Sequence, residues 1–269
     1  MVLPWIVQDA AREGGLAAVQ EYLADADRDP DELGEDGTHL LWNACVGRNE
    51  SRRQDVVRFL LMRGASPNAL CHRREADPVA EVGPLTPLHA VLMNTRPESK
   101  HMLKLSTLLV DAGADPMLLV DESAFSDTFQ SSAFGFLLYH GYWNFAIRQS
   151  YELLVLFLRA GASNESLTSE GALKERRYLK ACLNIEPAMV LQAKMRECLD
   201  LIDAILAAGG TWRQYCLVPH KRLLRLRSLV ARGRASPGPS TPAVVARLLA
   251  PSLPNGVLWH ILEHWSTTR

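Results

Sequence analysis

The sequence predicts an all-α chain built from stacked helix pairs, and three observations carry that prediction. A glycine tetrad recurs as Arg63-Gly64-Ala65-Ser66, Ala112-Gly113-Ala114-Asp115, Ala160-Gly161-Ala162-Ser163 and Ala208-Gly209-Gly210-Thr211. Its glycines stand 49, 48 and 48 residues apart, and self-similarity at a fixed period marks repeat architectures. Each tetrad closes an apolar stretch with helical spacing: Val56, Val57, Phe59, Leu60 and Leu61; Leu105, Leu108, Leu109 and Val110; Leu153, Leu154, Val155, Phe157 and Leu158; Leu201, Ile202, Ile205 and Leu206. With 269 residues, 48% hydrophobic and 22% charged, the chain can build one sizeable core or a row of small ones, and wholesale disorder is excluded.

A glycine at the position after a helix C-cap accepts positive φ without a Cβ penalty, so the helix stops there and the chain turns sharply. Four helices are therefore predicted to end alike. An earlier copy runs from residues 10–14 to Tyr22 and Leu23 and is followed by the turn-rich segment 25–37. It lacks the closing tetrad, as terminal repeats often do.

Thr86-Pro87-Leu88-His89, upstream of Leu108-Leu109-Val110-Asp111-Ala112-Gly113-Ala114-Asp115, resembles the ankyrin repeat, which joins a TPLH helix start to a second helix ending in Gly-Ala-Asp. The tetrapeptide makes physical sense: Thr caps the helix, Pro occupies a first turn where no amide donor is missed, and Leu points into the stack. The resemblance covers roughly residues 5–212 and implies an ankyrin-like α-solenoid of about five helix-pair repeats, with His89 tying neighbouring turns together. Residues 37–44 look like a degenerate copy with Trp42 at the His position, and 132–138 and 178–183 are weaker copies. A standard repeat has about 33 residues, so the surplus here is expected in enlarged loops. One is the inter-repeat loop around residues 71–78; another is residues 94–99, where Pro97 breaks the link between paired helices.

Beyond Gly209 the composition changes. No acidic residue occurs between Ala204 and Leu262, whereas Arg213, Lys221, Arg222, Arg225, Arg227, Arg232, Arg234 and Arg247 supply eight positive charges. The linker 233–240 splits this segment, and two short helices start at Thr241 before Pro242 and at Ser252 or Asn255 before Val257. The domains expected are an ankyrin-repeat array over 1–212 and a basic helical C-terminal cap or adaptor segment over 213–269.

The chain as a whole carries 29 Lys plus Arg against 30 Asp plus Glu, so bulk charge names no partner and nucleic acid is not expected as one. Five cysteines, Cys45, Cys71, Cys182, Cys198 and Cys216, fit neither a disulfide framework nor a CxxC metal site, which points to a reducing compartment. No secretory signal is read at the N-terminus, where Asp9 and Glu13 interrupt and no basic flank precedes an apolar run. The longest purely apolar run, Leu153 to Leu158, falls far short of the roughly 20 residues of a membrane span. A cytoplasmic or nuclear protein with no membrane partner is expected.

Three segments imitate chemistry. His260-Ile261-Leu262-Glu263-His264 matches the inverted zinc-peptidase pattern HxxEH, yet a further ligand is missing and Leu258, Ile261, Leu262 and Trp265 explain the segment as an apolar helix stripe. Asp25, Asp27, Asp29, Asp31 and Asp36 occupy a calcium-loop register, but Pro30 stands where that loop needs glycine, so a solvated acidic turn is expected. The basic segment 221–230 interleaves Leu with Arg; Leu223, Leu226 and Val230 are expected inward with the arginines in water, and aromatics for base stacking are missing. No Gly-Lys-Ser/Thr follows the tetrads and nothing resembles GxSxG, so no enzyme, no metal and no cofactor is expected.

The function expected is therefore a non-catalytic protein-protein interaction module or scaffold that displays loops and a concave face to a protein partner. Candidate partner-binding residues are those in the long loops without a packing role: His72, Arg73, Arg74 and Glu75, together with Cys71; Phe125, Asp127 and Phe129; and Trp143. A different reading gives residues 213–269 a task. The layout resembles ankyrin and SOCS-box adaptors that recruit ubiquitin-ligase components through elongin and a cullin, with Leu223, Leu226 and Leu229 as a first helix and Leu253-Pro254 as the later Leu-Pro element. Leu253-Pro254 to Trp265 also looks like the first helix of an F-box. The cysteine of the SOCS-box first helix is absent, and Asn255-Gly256 replaces its second Leu-Pro-like pair.

Overall fold

Glycine sets where the helices stop. In the computed structural model, which describes residues 2–47, 50–73, 82–93, 101–120, 132–137, 149–161 and 189–267, Gly64, Gly113, Gly161 and Gly209 all have positive φ, from 90° to 115°. At Gly64 the amide donates to Leu61 O (3.1 Å) while the next amide, Ala65, reaches back to Leu60 O (3.0 Å). The same pair of bonds closes the helices before Gly113 and Gly209. This is a Schellman closure, which satisfies two of the carbonyls a helix end leaves orphaned.

The described residues are mostly helical. Six helices open the chain: α1 (Trp5–Glu13), α2 (Leu16–Tyr22), α3 (Leu40–Cys45), α4 (Glu50–Met62), α5 (Pro87–Met93) and α6 (His101–Asp111). A helical turn at 133–137 follows, then α7 (Ser150–Arg159) and α8 (Met189–Ala207). The chain divides into two compact units, Met1–Asp203 and Ala204–Arg269, where the sequence places its boundary near Trp212.

Among α1 to α6, helices pack with their partner and with equivalents along the chain. Helix α3 touches α1, α4 and α5; α4 also touches α2 and α6; α6 touches α5 and α7. A helix packed on several sides must be apolar around its circumference. Every residue of α3 is accordingly buried, as are Pro87 to Leu92 of α5. The outer helices need only one stripe, and the stripe recurs in register with the glycines. Val56, Leu105, Leu153 and Leu201 are all buried; so are Val57, Ser106, Leu154 and Ile202; so are Leu60, Leu109, Phe157 and Ile205.

One element departs from the sequence reading. The segment read as an enlarged loop begins and ends in a two-stranded antiparallel ribbon, β1 (Cys71–Arg73) with β2 (Val82–Leu85), in which Cys71 pairs with Leu85. Both of those side chains are buried, 1% exposed each, so the ribbon is rooted in the core at its base.

The second unit contains α9 (Trp212–Ala231), α10 (Ala243–Leu249) and α11 (Asn255–Thr267). Thr211 caps α9 by accepting from the Gln214 amide at 3.2 Å. Leu223, Leu248, Leu249, Leu258 and Leu262 form the core, with Leu224, Val230, Val245 and Leu253 against it. Arg227 is buried here, 8% exposed, and donates to the carbonyls of Leu248 (3.3 Å) and Leu253. This corrects the sequence reading, which put Leu226 inward and every arginine in water: Leu226 is 45% exposed. The end of α10 leaves carbonyls without intrahelical donors, and a guanidinium on α9 supplies them. Among the described residues no helix is long and apolar enough to cross a membrane.

Candidate interaction surface

Three helix starts carry a capping side chain at a matching position, whereas α1 starts from Pro4 without one. His39 caps α3, its Nδ1 accepting from the Trp42 amide at 3.2 Å. Since Nδ1 accepts, Nε2 carries the proton, and it faces the carbonyl of Ala69 at 3.3 Å, just before β1. Burial disfavours the charged ring and pushes the His39 pKa below its ordinary value, a trend opposed by the Ala69 bond and the charge of Asp31. At α5 the corresponding cap is Thr86, whose amide donates to His89 Nδ1 (3.3 Å) and whose hydroxyl lies 2.8 Å from it. His89 is fully buried and meets Phe136 edge-on, with ring centroids 6.0 Å apart. At 133–137 the cap is Ser132, accepting from the Gly135 amide at 3.0 Å.

The turns after the outer helices are stitched to one another. Asn68, two residues beyond its tetrad, donates to Gly113 O (3.0 Å) and accepts from the Asp115 amide (2.8 Å) in the next tetrad. Asp31 accepts from the Ser66 amide through both carboxylate oxygens at 3.0 Å. The acidic turn that imitates a calcium loop is thus engaged with protein donors. Asp25 accepts from the Asp27 amide, Asp29 from the Asp31 amide, and Asp36 from both Thr38 and Arg12. Arg28 bridges Asp25 and Glu32 and lies over the Tyr22 ring, whose hydroxyl donates to Glu32 at 2.7 Å. Burial, and then the Glu32 carboxylate, push the Tyr22 phenol up to about 12. No group of three or more His, Cys, Asp or Glu side chains that could hold a metal occurs among the described residues.

His72 and Arg73 lie in β1, so their backbone leaves the core at the ribbon's root, but their side chains are outside the described residues. Arg74, Glu75, Phe125, Asp127, Phe129 and Trp143 lie wholly outside them. Cys71 is the exception: it is buried at the base of the ribbon, and its thiol pKa is pushed well above the ordinary value by that burial. It is therefore an anchor and not a displayed residue. In the HxxEH segment His260 is exposed on α11, while the side chains of Glu263 and His264 are outside the described residues.

Sequence reasoning missed two features. His39 was not singled out, although a His directly before the apolar run Leu40-Leu41-Trp42 has a ring nitrogen able to cap that helix. The N-terminal apolar group of Val2, Trp5 and Ile6, 56%, 75% and 63% exposed, is not among the candidates read from the sequence. Compared with known proteins, the chain matches no family model and no curated protein sequence.

Proposed function

We propose that this protein is a non-catalytic interaction module: an ankyrin-like solenoid that holds enlarged loops out to a protein partner. The observation that carries the reading is the buried register of the outer helices. Three positions per helix recur at the spacing of the glycines and are buried in all four copies from Val56 to Ile205. Units that repeat in this way bury their apolar faces against neighbours and leave the loops free to diverge. The tie from His39 to Ala69, the Asn68 clamp and the buried pair Cys71 and Leu85 give the first long loop a fixed base. A fixed base lowers the ordering cost of binding for whatever the loop displays. His72, Arg73, Arg74 and Glu75 are the residues assigned to that display, with Phe125, Asp127, Phe129 and Trp143 on the later segments. Cys45, Cys71, Cys198 and Cys216 are free thiols, which supports a cytoplasmic or nuclear setting.

Replacing residues 74–81 with a Gly-Ser linker of equal length tests this directly. The variant is expected to keep its helical circular dichroism and melt within a few degrees of the parent, while proteins recovered with the parent by proximity labelling are lost. Full recovery with the variant would remove this loop from the binding surface.

A second reading, a ubiquitin-ligase adaptor, is favoured by one observation: Ala204–Arg269 is a compact unit with its own leucine core. Such a unit is a suitable docking element, and Leu226, Val257, Trp259 and Ile261 remain 38% to 56% exposed on it. Pull-down with elongin and cullin components decides it, since a SOCS-box-like element must retain them.

A further inference from the structure

The two units differ sharply in charge. Residues 1–203 hold 20 Lys plus Arg and 29 Asp plus Glu, a net of -9, whereas residues 204–269 hold nine against one, a net of +8. Of the eight cations among the described residues, Arg227 is buried against the carbonyls of Leu248 and Leu253. Arg213, Lys221, Arg222, Arg225, Arg232, Arg234 and Arg247 are exposed, and none makes an ion pair with a described residue.

On α9 the exposed cations are arranged. Lys221, Arg222, Arg225 and Leu226 stand at i, i+1, i+4 and i+5, which is one continuous face. Lys221 with Arg225, and Arg222 with Arg225, are like-charge neighbours that weaken a helix. Arg232, at the C-cap, is explained by the helix dipole, but the three cations in the middle of the helix are not. They add nothing to the leucine core, which lies on the Leu223 side. The apolar Leu226, at the edge of this face toward Leu223, is 45% exposed, and Val244 beside Arg247 on α10 is 70% exposed.

We infer that this face of α9 is a docking surface for a short acidic protein segment whose carboxylates alternate with apolar side chains. Charge complementarity supplies the carboxylates: six of the seven exposed cations are arginine, whose fork matches a carboxylate bidentately. The exposed Leu226 supplies the apolar partner, for which a nucleic-acid backbone has no use. The α9 face also lacks aromatics on which bases would stack, Trp212 and Tyr215 being packed against each other at 5.5 Å. The inference stands apart from the proposed display of the first unit's loops, because it rests only on residues 204–269.

The test uses the full chain and fluorescence anisotropy. The probe is a labelled peptide of about 12 residues made of Asp, Glu and Leu, compared with its Asn and Gln analogue, an oligothymidylate of matched charge, and vesicles of phosphatidylcholine with phosphatidylserine. The acidic peptide is expected to bind, to weaken by about tenfold or more between about 50 mM and about 200 mM salt, and to outbind the other three. The triple variant Lys221→Gln, Arg222→Gln, Arg225→Gln is expected to weaken it about tenfold with unchanged circular dichroism. Leu226→Ser is expected to weaken the peptide several-fold and leave the oligothymidylate unaffected. Undetectable peptide binding, binding indifferent to the triple variant, or preference for the oligothymidylate or the vesicles would each overturn the inference.

Discussion

The two compact units solve the same problem, how to hold short helices in place, in opposite ways. The first repeats one solution. A glycine closure, a capping side chain and three buried positions recur along it, and its carboxylates are drawn into the turns, as Asp31, Asp36 and Glu32 show. The second is a single construction: five leucines and one buried arginine hold three helices, while its other cations among the described residues are exposed. They share one device, because Arg53 in α4 also lies buried and donates to the carbonyls of Cys45 and Gly47 at the end of α3. Under the proposed repeat reading, the first unit spreads stability over many equivalent contacts, so damage is local and similar wherever it falls, whereas a one-off unit concentrates it.

The largest effect that separates the units is expected in their cores. Leu105→Ala should cost about 3 kcal/mol or more, and its register partner Leu153→Ala a comparable amount, because both fill fully buried positions on equivalent helices. Chemical denaturation measures both, and a twofold disparity would break the equivalence. Arg227→Ala is expected to cost about 2–4 kcal/mol, since two carbonyls lose a charged donor in a buried setting. That loss should melt 204–269 first, visible as a separate early transition.

A smaller effect sharpens the account of the turns. At Gly113 an added Cβ would meet nothing within 4 Å, so Gly113→Ala tests backbone conformation alone and should cost about 1–2 kcal/mol through its φ of +94°. At Gly14 the same methyl would stand 2.5 Å from the Arg52 Cβ, so Gly14→Ala should cost more. The smallest effect is a pH dependence. The folded state lowers the His39 pKa, so below the ordinary value of 6.5 the unfolded chain binds the extra proton first and stability falls as pH drops. Melting temperatures from neutral pH down to about pH 5 should show this decline. His39→Gln should flatten it.

Much of the first unit was legible because its signals are local. Positive φ after a helix all but requires glycine, so Gly64, Gly113, Gly161 and Gly209 mark helix ends in the bare sequence. What was illegible depends on partners distant in the chain. Whether Leu226 or Arg227 turns inward beside Leu223 is a choice between neighbouring faces of one helix, and the carbonyls of Leu248 and Leu253 decide it. Cys71-His72-Arg73 carries no alternating pattern long enough to announce a strand, and its pairing with Val82–Leu85 arises from the buried meeting of Cys71 and Leu85. Of the candidate contacts, Cys71 is packed at the base of the ribbon, a burial set by its partner Leu85 fourteen residues on and so absent from the local sequence.

The central claim, that residues 5–207 are repeats stabilised by contact with neighbours, is tested most directly by native-state hydrogen exchange on the Val56→Ala variant. Helices α3, α4 and the adjoining α2, α5 and α6 should lose protection while α7 keeps it. A uniform loss reaching α7 and α8 would contradict the claim, because it would mean that a single cooperative interior holds them all.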